Sequence, residues 1–197
     1  MKRRILATLV ALVFVLTLAA AAQQPDAQPS PKPQVQPQTQ PPAMAAKPPA
    51  RPEDVKSIEA IIAALYDVIS GTPGPRDWNR FHSLFLPEAH MAFSSKRPNG
   101  TFVHRVFTPK EYVERSGPYL EKEGFFETGI ANKIDSFGTI AHVFGTYESR
   151  HEKNGKPFAR GINSIQLLTD GTRWWVVTVM WDEERPDNPI PEKYLSK

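Results

Sequence analysis

Residues 173–182 read RWWVVTVMWD, a run of β-branched and aromatic side chains that is typical of a strand inside a sheet. Three more β-rich runs precede it, and short turn signals such as Asp170-Gly171 separate the runs. Consecutive strands joined by short turns pair antiparallel. We therefore predict that the last third of the chain is an antiparallel meander, with strands at residues 125–137, 139–151, 157–169 and 173–183.

Helix-forming sequence lies mostly upstream of this meander. Apolar residues recur at three- and four-residue steps over residues 53–70, and Thr108-Pro109-Lys110-Glu111 is a capping box. This order favours an α+β fold in which the sheet wraps around helices and encloses a pocket. The predicted elements are a helix at residues 53–70, a short helix at 76–84, a hairpin of strands at 90–95 and 101–107, and a helix at 108–116 that ends before Gly117-Pro118.

The first 22 residues have the three parts of a secretory signal peptide. Lys2, Arg3 and Arg4 form a basic start, residues 5–18 are almost wholly apolar, and a run of alanines at 19–22 offers a cleavage site. An uncleaved membrane anchor is the alternative, because about 18 apolar residues approach the length that spans a bilayer. We expect an exported protein, periplasmic or secreted, whose only membrane contact is this segment if it stays uncleaved.

Residues 23–52 have the composition of a disordered linker. They hold half of the chain's 20 prolines and no aromatic residue, so they cannot bury enough apolar surface to offset the entropy of ordering. A spacer that holds the domain away from a surface and a solvated tail without a role are both open interpretations. The folded domain is predicted at residues 53–197.

Composition excludes several function classes. The chain has no cysteine, so disulfides, thiol catalysis and thiolate metal sites are ruled out. It has 24 basic and 21 acidic residues, and the excess disappears once Lys2, Arg3 and Arg4 are removed with the signal. A domain without a net basic charge lacks the electrostatic footprint of a nucleic-acid-binding protein. We predict no nucleic-acid partner.

Two stretches resemble a known family. One begins with RDWNRF at residues 76–81 and runs into LFLPEA at 84–89, and the other is GTRWWVV at 171–177. Both are similar to packing signatures of the nuclear transport factor 2-like superfamily, in its SnoaL-like branch, and the resemblance extends over nearly all of residues 53–197. It implies a cone-shaped fold, in which a strongly curved antiparallel sheet packs over N-terminal helices around a cavity. Members include isomerases, cyclases, dehydratases and subunits that only dimerise, so the resemblance implies where a site lies and not which reaction occurs there.

The catalytic residue is not identified by the sequence, and the candidates are His104 and Tyr66. His104 lies in the middle of a strand next to the helix that bears Tyr112. Tyr66 lies on the first helix, where the resemblance to ketosteroid isomerases implies a cavity tyrosine beside a carboxylate base. No carboxylate partner is predicted for it, because Asp135 and Asp182 lie toward strand ends, where solvated carboxylates are normal. His90, at the start of a strand, is a further candidate, and packed or surface side chains are the structural alternative for all three.

A cone cavity would be lined by aromatic residues and by polar residues inside apolar strands. The alternatives are equally open: the aromatic residues could simply fill the core, and the polar residues could hydrogen-bond to each other as a buried pair. No spacing of histidines and acidic residues forms a metal motif, and no phosphate-binding loop is present, so no metal and no cofactor are predicted. The predicted ligand-binding residues are Tyr66, Trp78, Phe93, His104, Tyr112, Asn163, Thr178 and Met180.

Adjacent strand residues point to opposite faces, so one of Trp174 and Trp175 should face the interior and the other the outside of the sheet. An exposed aromatic residue on the outer face predicts a homodimer through that face. Three functions follow as hypotheses. The first is an exported domain that binds a small, largely apolar molecule; the alternatives are an isomerase- or cyclase-type acid–base enzyme using the same cavity, and a homodimeric accessory domain without activity. A carboxylate beside Tyr66 or His104 would favour the enzyme.

Overall fold

The antiparallel meander is present in the computed structural model, which describes residues 49–196. It belongs to one curved, unclosed sheet of six strands in the order β2-β1-β6-β5-β4-β3. Every neighbouring pair is antiparallel except β1 and β6, which are parallel. The strands are β1 (Phe85–Lys96), β2 (Phe102–Phe107), β3 (Phe126–Phe137), β4 (Ile140–Arg150), β5 (Ala159–Thr169) and β6 (Trp174–Glu183).

Four α-helices pack on one face of this sheet, which we call the inner face. Of the helices in residues 49–196, none combines the length and apolarity that a bilayer crossing requires. The predictions for residues 1–22, and for 23–48 of the linker, lie outside the described residues. The helices are α1 (Pro52–Val55), α2 (Ile58–Ile69), α3 (Trp78–Ser83) and α4 (Pro109–Glu123), and a 3₁₀ turn follows at Glu192–Tyr194.

The single helix predicted at residues 53–70 is wrong, because the chain breaks between α1 and α2. Ser57 has extended backbone angles, and its hydroxyl accepts a hydrogen bond from the Ala60 N–H at 3.1 Å. A serine in that geometry begins a helix and does not continue one. The apolar stripe of the prediction is preserved in α2, where Ile61 and Leu65 are buried.

Helix α4 continues seven residues beyond the predicted end at Ser116, through Gly117 and Pro118. Proline inside a helix costs about 3 kcal/mol relative to alanine, so packing must outweigh local preference here. Leu120 is buried beyond the proline, and Gly117 lies so close to Trp78 that an added Cβ would be 3.3 Å from the indole ring. The predicted capping box at the start of the helix is confirmed.

Strand β1 begins at Phe85, five residues before the predicted start at residue 90. The register of its pairing with β6 shifts between Phe85 and His90, and Pro87 lies inside that irregular stretch. Proline lacks the N–H that a regular ladder needs, so it is accepted where the ladder is interrupted. The predicted hairpin of β1 and β2 is confirmed.

A bulge in β6 changes which residues share a face. Leu167 opposes Val176 and Gln166 opposes Thr178, so Val177 has no partner across the pair. The extra residue resets the alternation, and Val176 and Val179 are both buried on the inner face. Strict alternation along the strand would place Val177 on the same face as Val179, and the bulge separates them.

The prediction that Trp174 and Trp175 point to opposite sides of the sheet is confirmed. Trp174 packs on the core. Trp175 donates its indole N–H to Asp170 at 2.7 Å, and the Arg173 guanidinium lies 3.6 Å from its ring centroid.

The C-terminal segment covers part of the outer face of the sheet. Arg185 and Asn188 close a turn after β6. Tyr194 then packs its ring 5.0 Å from that of Phe144, and its carbonyl accepts a hydrogen bond from the buried Thr146 hydroxyl. The outer face is therefore covered at β4, and Arg185 and Asp187 contact Phe102 and Lys96 at one end of β2 and β1. Elsewhere on β2 and β6 the outer side chains Val106 and Met180 stay exposed.

Candidate active site

A cavity of about 270 Å³ lies between the helices and the inner face of the sheet. Its walls are rich in aromatic rings, and among the described residues no lysine, arginine or histidine lines it. The aromatic lining consists of Tyr66, Phe81, Tyr112, Tyr119, Phe125, Tyr147, Phe158 and Trp181. The polar lining consists of Ser116, Glu127, Ser149, Asn163 and Glu183.

Glu127 reaches the cavity because the start of β3 is fixed against the end of α2. Gly71 and Phe125 exchange two backbone hydrogen bonds, at 2.7 and 2.9 Å. The Ser70 hydroxyl accepts the Glu127 backbone N–H at 3.0 Å and donates to the Tyr66 carbonyl at 2.7 Å. One serine hydroxyl therefore joins the backbones of Glu127 and Tyr66, and places both side chains at the same wall.

The Glu127 carboxylate is the centre of a small hydrogen-bonded cluster. Ser149 donates to it at 3.0 Å from the neighbouring strand β4, and the Asn163 amide donates at 3.4 Å from β5. The same amide nitrogen donates to the Tyr66 hydroxyl at 3.2 Å. We call Tyr66, Glu127, Ser149 and Asn163 the Glu127 cluster.

Burial raises the pKa of the Glu127 carboxyl to about 7, because the surrounding apolar walls disfavour the charged form. The hydrogen bonds from Ser149 and Asn163 lower the pKa in part, and the negative charge of Glu183 at the rim raises it. The carboxyl therefore exchanges between its acid and base forms near neutral pH. That is the property that general acid–base catalysis requires.

Three tyrosine hydroxyls surround the same cavity. Burial raises the pKa of Tyr66, Tyr112 and Tyr147 above that of a free tyrosine, so all three remain protonated and able to donate. Tyr112 is held by rings on both sides, with centroids 5.5 Å from Phe81 and 6.4 Å from Phe107 in stacked arrangements. A held ring aims its hydroxyl in a fixed direction, as a preorganised donor must.

Glycines on the inner face make room for these tyrosines. Gly129, Gly145 and Gly161 lie on three adjacent strands. A Cβ on Gly129 would be 3.1 Å from the Tyr66 ring, and one on Gly161 would be 2.6 Å from the Tyr147 hydroxyl. Glycine inside a strand often marks the close approach of another group, and here that group is a cavity tyrosine.

Replacing Gly161 with alanine is expected to lower the free energy of unfolding by about 1 to 3 kcal/mol, as overpacking does. The new Cβ would lie 2.4 Å from the Asp182 carbonyl oxygen as well as against Tyr147, and the carbonyl belongs to a paired strand that cannot move freely. Urea denaturation measures the loss. Gly155→Ala, in the turn between β4 and β5, is the matched control and should change stability by less than about 1 kcal/mol; equal losses at the two positions would contradict the close approach.

The structure brings three of the eight predicted ligand-binding residues to the cavity, namely Tyr66, Tyr112 and Asn163. Trp78 instead donates its indole N–H to Glu121 at 2.7 Å, behind the cavity wall. Thr178 pairs with Gln166 and with the exposed His90 on the outer face of the sheet.

The other three predicted residues, Phe93, His104 and Met180, border a second groove of about 320 Å³ on the outer face. The Phe93 ring itself packs on the core side, with its centroid 5.8 Å from that of Trp181. We call it the outer groove. His104 is exposed there on the edge strand β2, and it does not reach the cavity.

Glu127 was missed by the sequence analysis, and the expectation that no carboxylate lies beside Tyr66 is wrong. Glu127 is the second residue of β3, a position where a solvated carboxylate is ordinary. The available signal was the alternation of Phe125, Glu127 and Gly129 on one face of the strand. A glycine two residues from a charged side chain indicates close approach of another group, and that group is the Tyr66 ring.

No protein-family model matches the chain, and no curated protein matches it by sequence. Solved structures do match it. One is a protein of unknown function with a cystatin-like fold from Nostoc punctiforme PCC 73102, with 8% sequence identity, coverage of 66% of this chain and 90% of that chain, and a TM-score of 0.51.

Two further matches are described as NTF2-like. A protein of unknown function from Methylobacillus flagellatus KT is 14% identical, with 66% of this chain and 95% of that chain covered and a TM-score of 0.44. A superfamily member from Salmonella enterica serovar Typhimurium LT2 is 18% identical, with 66% and 87% covered and a TM-score of 0.46. At these identities a likeness concerns the fold alone. The predicted α+β fold with a curved sheet is confirmed, and its match to the cystatin-like fold has a TM-score of 0.51. The resemblance to nuclear transport factor 2-like proteins is a likeness of fold, and the SnoaL-like branch stays a prediction.

Proposed function

We propose that this chain is an acid–base enzyme that moves a proton on a small, largely apolar molecule held in the cavity. Glu127 is the base, and the protonated tyrosines are the hydrogen-bond donors. The observation that carries the proposal is a carboxyl that lines an aromatic cavity and is joined through Asn163 to Tyr66. Burial at this position raises the pKa of the carboxyl to about 7. A module that only binds needs apolar walls and no such group.

The chemistry that fits this arrangement is proton transfer next to a carbonyl group. The ionised Glu127 carboxylate takes the proton from the carbon beside the carbonyl, and the electron pair of the C–H bond moves onto the carbonyl oxygen. Tyrosine hydroxyls stabilise the resulting enolate by hydrogen bonds that strengthen as negative charge develops. Protonated Glu127 then returns the proton, to the same carbon or to a conjugated one, and the second outcome is an isomerisation.

Hydrogen–deuterium exchange at the α-carbon of cyclohexanone and phenylacetone tests this proposal in the full chain. NMR in D₂O should show protein-catalysed exchange that rises with pH and levels off above about 7, because only ionised Glu127 accepts a proton. Glu127→Gln should lower the rate by about a hundredfold.

Glu152→Gln is the matched control, because it removes an equal charge at an exposed site outside the cavity. Its exchange rate should equal that of the wild type. Equal rates in the wild type and in Glu127→Gln would refute the proposal.

We propose in addition that the uncovered part of the outer face pairs with a second copy of the chain. Phe102, Val106 and Met180 are 60%, 69% and 46% exposed on that part. Exposed apolar side chains next to the outer groove are typical of an interface. Export, predicted from residues 1–22, stays a prediction.

Light scattering during gel filtration is expected to give a dimer for the full chain, and Val106→Lys should weaken its association by at least about tenfold. Phe137→Lys is the matched control, since Phe137 is 84% exposed but lies at the far edge of the sheet in β3. A wild type that is monomeric at all concentrations, or a dimer that only Phe137→Lys disrupts, would contradict this interface.

A further inference from the structure

We infer that the molecule bound in the cavity is a cation, a protonated amine on a small apolar skeleton. This inference rests on the proposed function, because it assigns the charge of the substrate on which Glu127 acts. The cavity lining supports it, because two carboxylates and many aromatic rings occur there together and none of the described lining residues is basic.

Among the described residues neither carboxylate of the cavity forms a salt bridge, although the charge of Arg185 acts on Glu183 from outside the lining. Glu127 takes its hydrogen bonds from neutral donors, Ser149 and Asn163. Glu183 lies exposed at the rim, and among the described residues it forms no salt bridge. A bound carboxylate or phosphate would meet like charges and no basic side chain among the described lining residues, whereas a bound ammonium would neutralise the carboxylates.

The aromatic walls are suited to the same ligand. The ring of Trp181 stands at 89° to that of Tyr112, with centroids 6.4 Å apart. Because Phe81 and Phe107 cover the two faces of Tyr112, the ring face that can meet a ligand at this corner belongs to Trp181. Rings with π-electron faces attract ammonium groups, tryptophan most strongly, and the attraction grows when water is excluded. A tryptophan ring that lines a cavity together with carboxylates is suited to an organic cation.

The inference also predicts how affinity depends on pH. An ammonium near Glu127 favours the ionised carboxylate, so binding of the cation at acidic pH must displace the proton from Glu127. Affinity for the cation should therefore rise with pH up to about neutrality and then level off.

Glu127 is surrounded by polar and titratable groups from several elements. On the cavity side these are Tyr66 of α2, Tyr112 of α4, Tyr147 and Ser149 of β4, Asn163 of β5 and Glu183 of β6. A cleft on the other side of Glu127 adds Glu59, Asp67 and Lys153.

Three compounds that share one ring test the inference by calorimetry on the full chain. They are cyclohexylmethylammonium, cyclohexylmethanol and cyclohexanecarboxylate, which carry a positive charge, no charge and a negative charge. At about pH 8 the amine should bind at least about tenfold more tightly than the alcohol, and the carboxylate most weakly. At about pH 5.5 the preference for the amine should shrink, because Glu127 is then protonated.

Variants separate the carboxylates of the cavity from general surface charge. Glu127→Gln should abolish the pH dependence of amine binding, Glu183→Gln should reduce the preference for the amine, and Glu152→Gln should change neither. Alcohol or carboxylate binding as tight as amine binding, or no binding by any of the three, would overturn the inference.

The failure of this inference and the failure of the proposed function are distinguishable. If Glu127→Gln loses the preference for the amine but exchanges the α-carbon proton at the rate of the wild type, the cationic ligand is supported and the enzyme is refuted. Exchange at the α-carbon that depends on Glu127, without any preference for the amine, would support the enzyme and refute the cationic ligand.

Discussion

Urea denaturation of Arg80→Ala is expected to give a free energy of unfolding about 3 to 5 kcal/mol below that of the wild type, the loss that follows when one partner of a buried ion pair is removed. Arg80 binds Asp54 through two parallel hydrogen bonds, at 2.8 and 2.9 Å, and Asp54 is only 6% exposed. Without the guanidinium, the buried carboxylate loses its hydrogen-bonded partner and keeps only the more distant charge of Arg51. The variant should also weaken the attachment of α2, the helix that carries Tyr66, to α3, because Arg80 in α3 binds Asp67 of α2 at 2.5 Å.

The matched control for Arg80→Ala is Arg51→Ala. Arg51 forms its ion pair with Asp77 at 3.1 Å, but the two side chains are 53% and 49% exposed, so the pair should contribute less than about 1 kcal/mol. Equal losses from the two substitutions would contradict the importance of burial.

The loss in Arg80→Ala should also depend on pH. Arg80 lowers the pKa of the Asp54 carboxyl below its ordinary value of 3.8. The stability that this pair contributes is therefore present above that value and disappears as the pH falls through the lowered pKa. The difference in free energy of unfolding between Arg80→Ala and the wild type should become smaller in acid. A difference that stays constant with pH would exclude the ion pair as its cause.

Much of the fold could be predicted from the sequence because the strands and caps are specified locally. The runs that became β3, β4, β5 and β6 are β-rich and bounded by turn residues, and each prediction lies within two residues of the strand observed. The errors arose where tertiary contacts override local preference. Pro118 stays inside α4 because Gly117 packs on Trp78, and the bulge at Val177 cannot be read from alternation, since it depends on the register with β5.

The candidate site was predictable in part, and the missing part depends on distant contacts. Tyr66 and Asn163 could be predicted, because a tyrosine on the buried stripe of a helix and an amide inside an apolar strand both indicate the interior. Glu127 could not, because its inward position is set by Ser70, 57 residues earlier in the chain. His104 illustrates the opposite case, since its strand was predicted while the face on which it lies depends on pairing with β1.

Replacing Glu127 by glutamine is expected to raise the free energy of unfolding at about pH 8 by on the order of 3 kcal/mol, and to change it little at about pH 4. The folded pKa of about 7 lies above the ordinary value of 4.5, so the folded state holds the proton more tightly than the unfolded chain does. Wild-type stability should therefore fall as the pH rises from about 4.5 to about 7, and remain constant above that range.

Glutamine resembles the protonated carboxyl in shape and can still accept the Ser149 hydrogen bond, but it cannot ionise. Urea denaturation at several pH values should thus show a variant that lacks the decline of the wild type, while Glu152→Gln follows the wild type throughout. If the free energies of unfolding of the wild type and of Glu127→Gln change with pH in the same way, Glu127 does not titrate near neutrality. A gain in stability together with a loss of α-carbon exchange would instead identify Glu127 as a group whose ionised form opposes folding and performs the chemistry, as expected of a functional carboxylate.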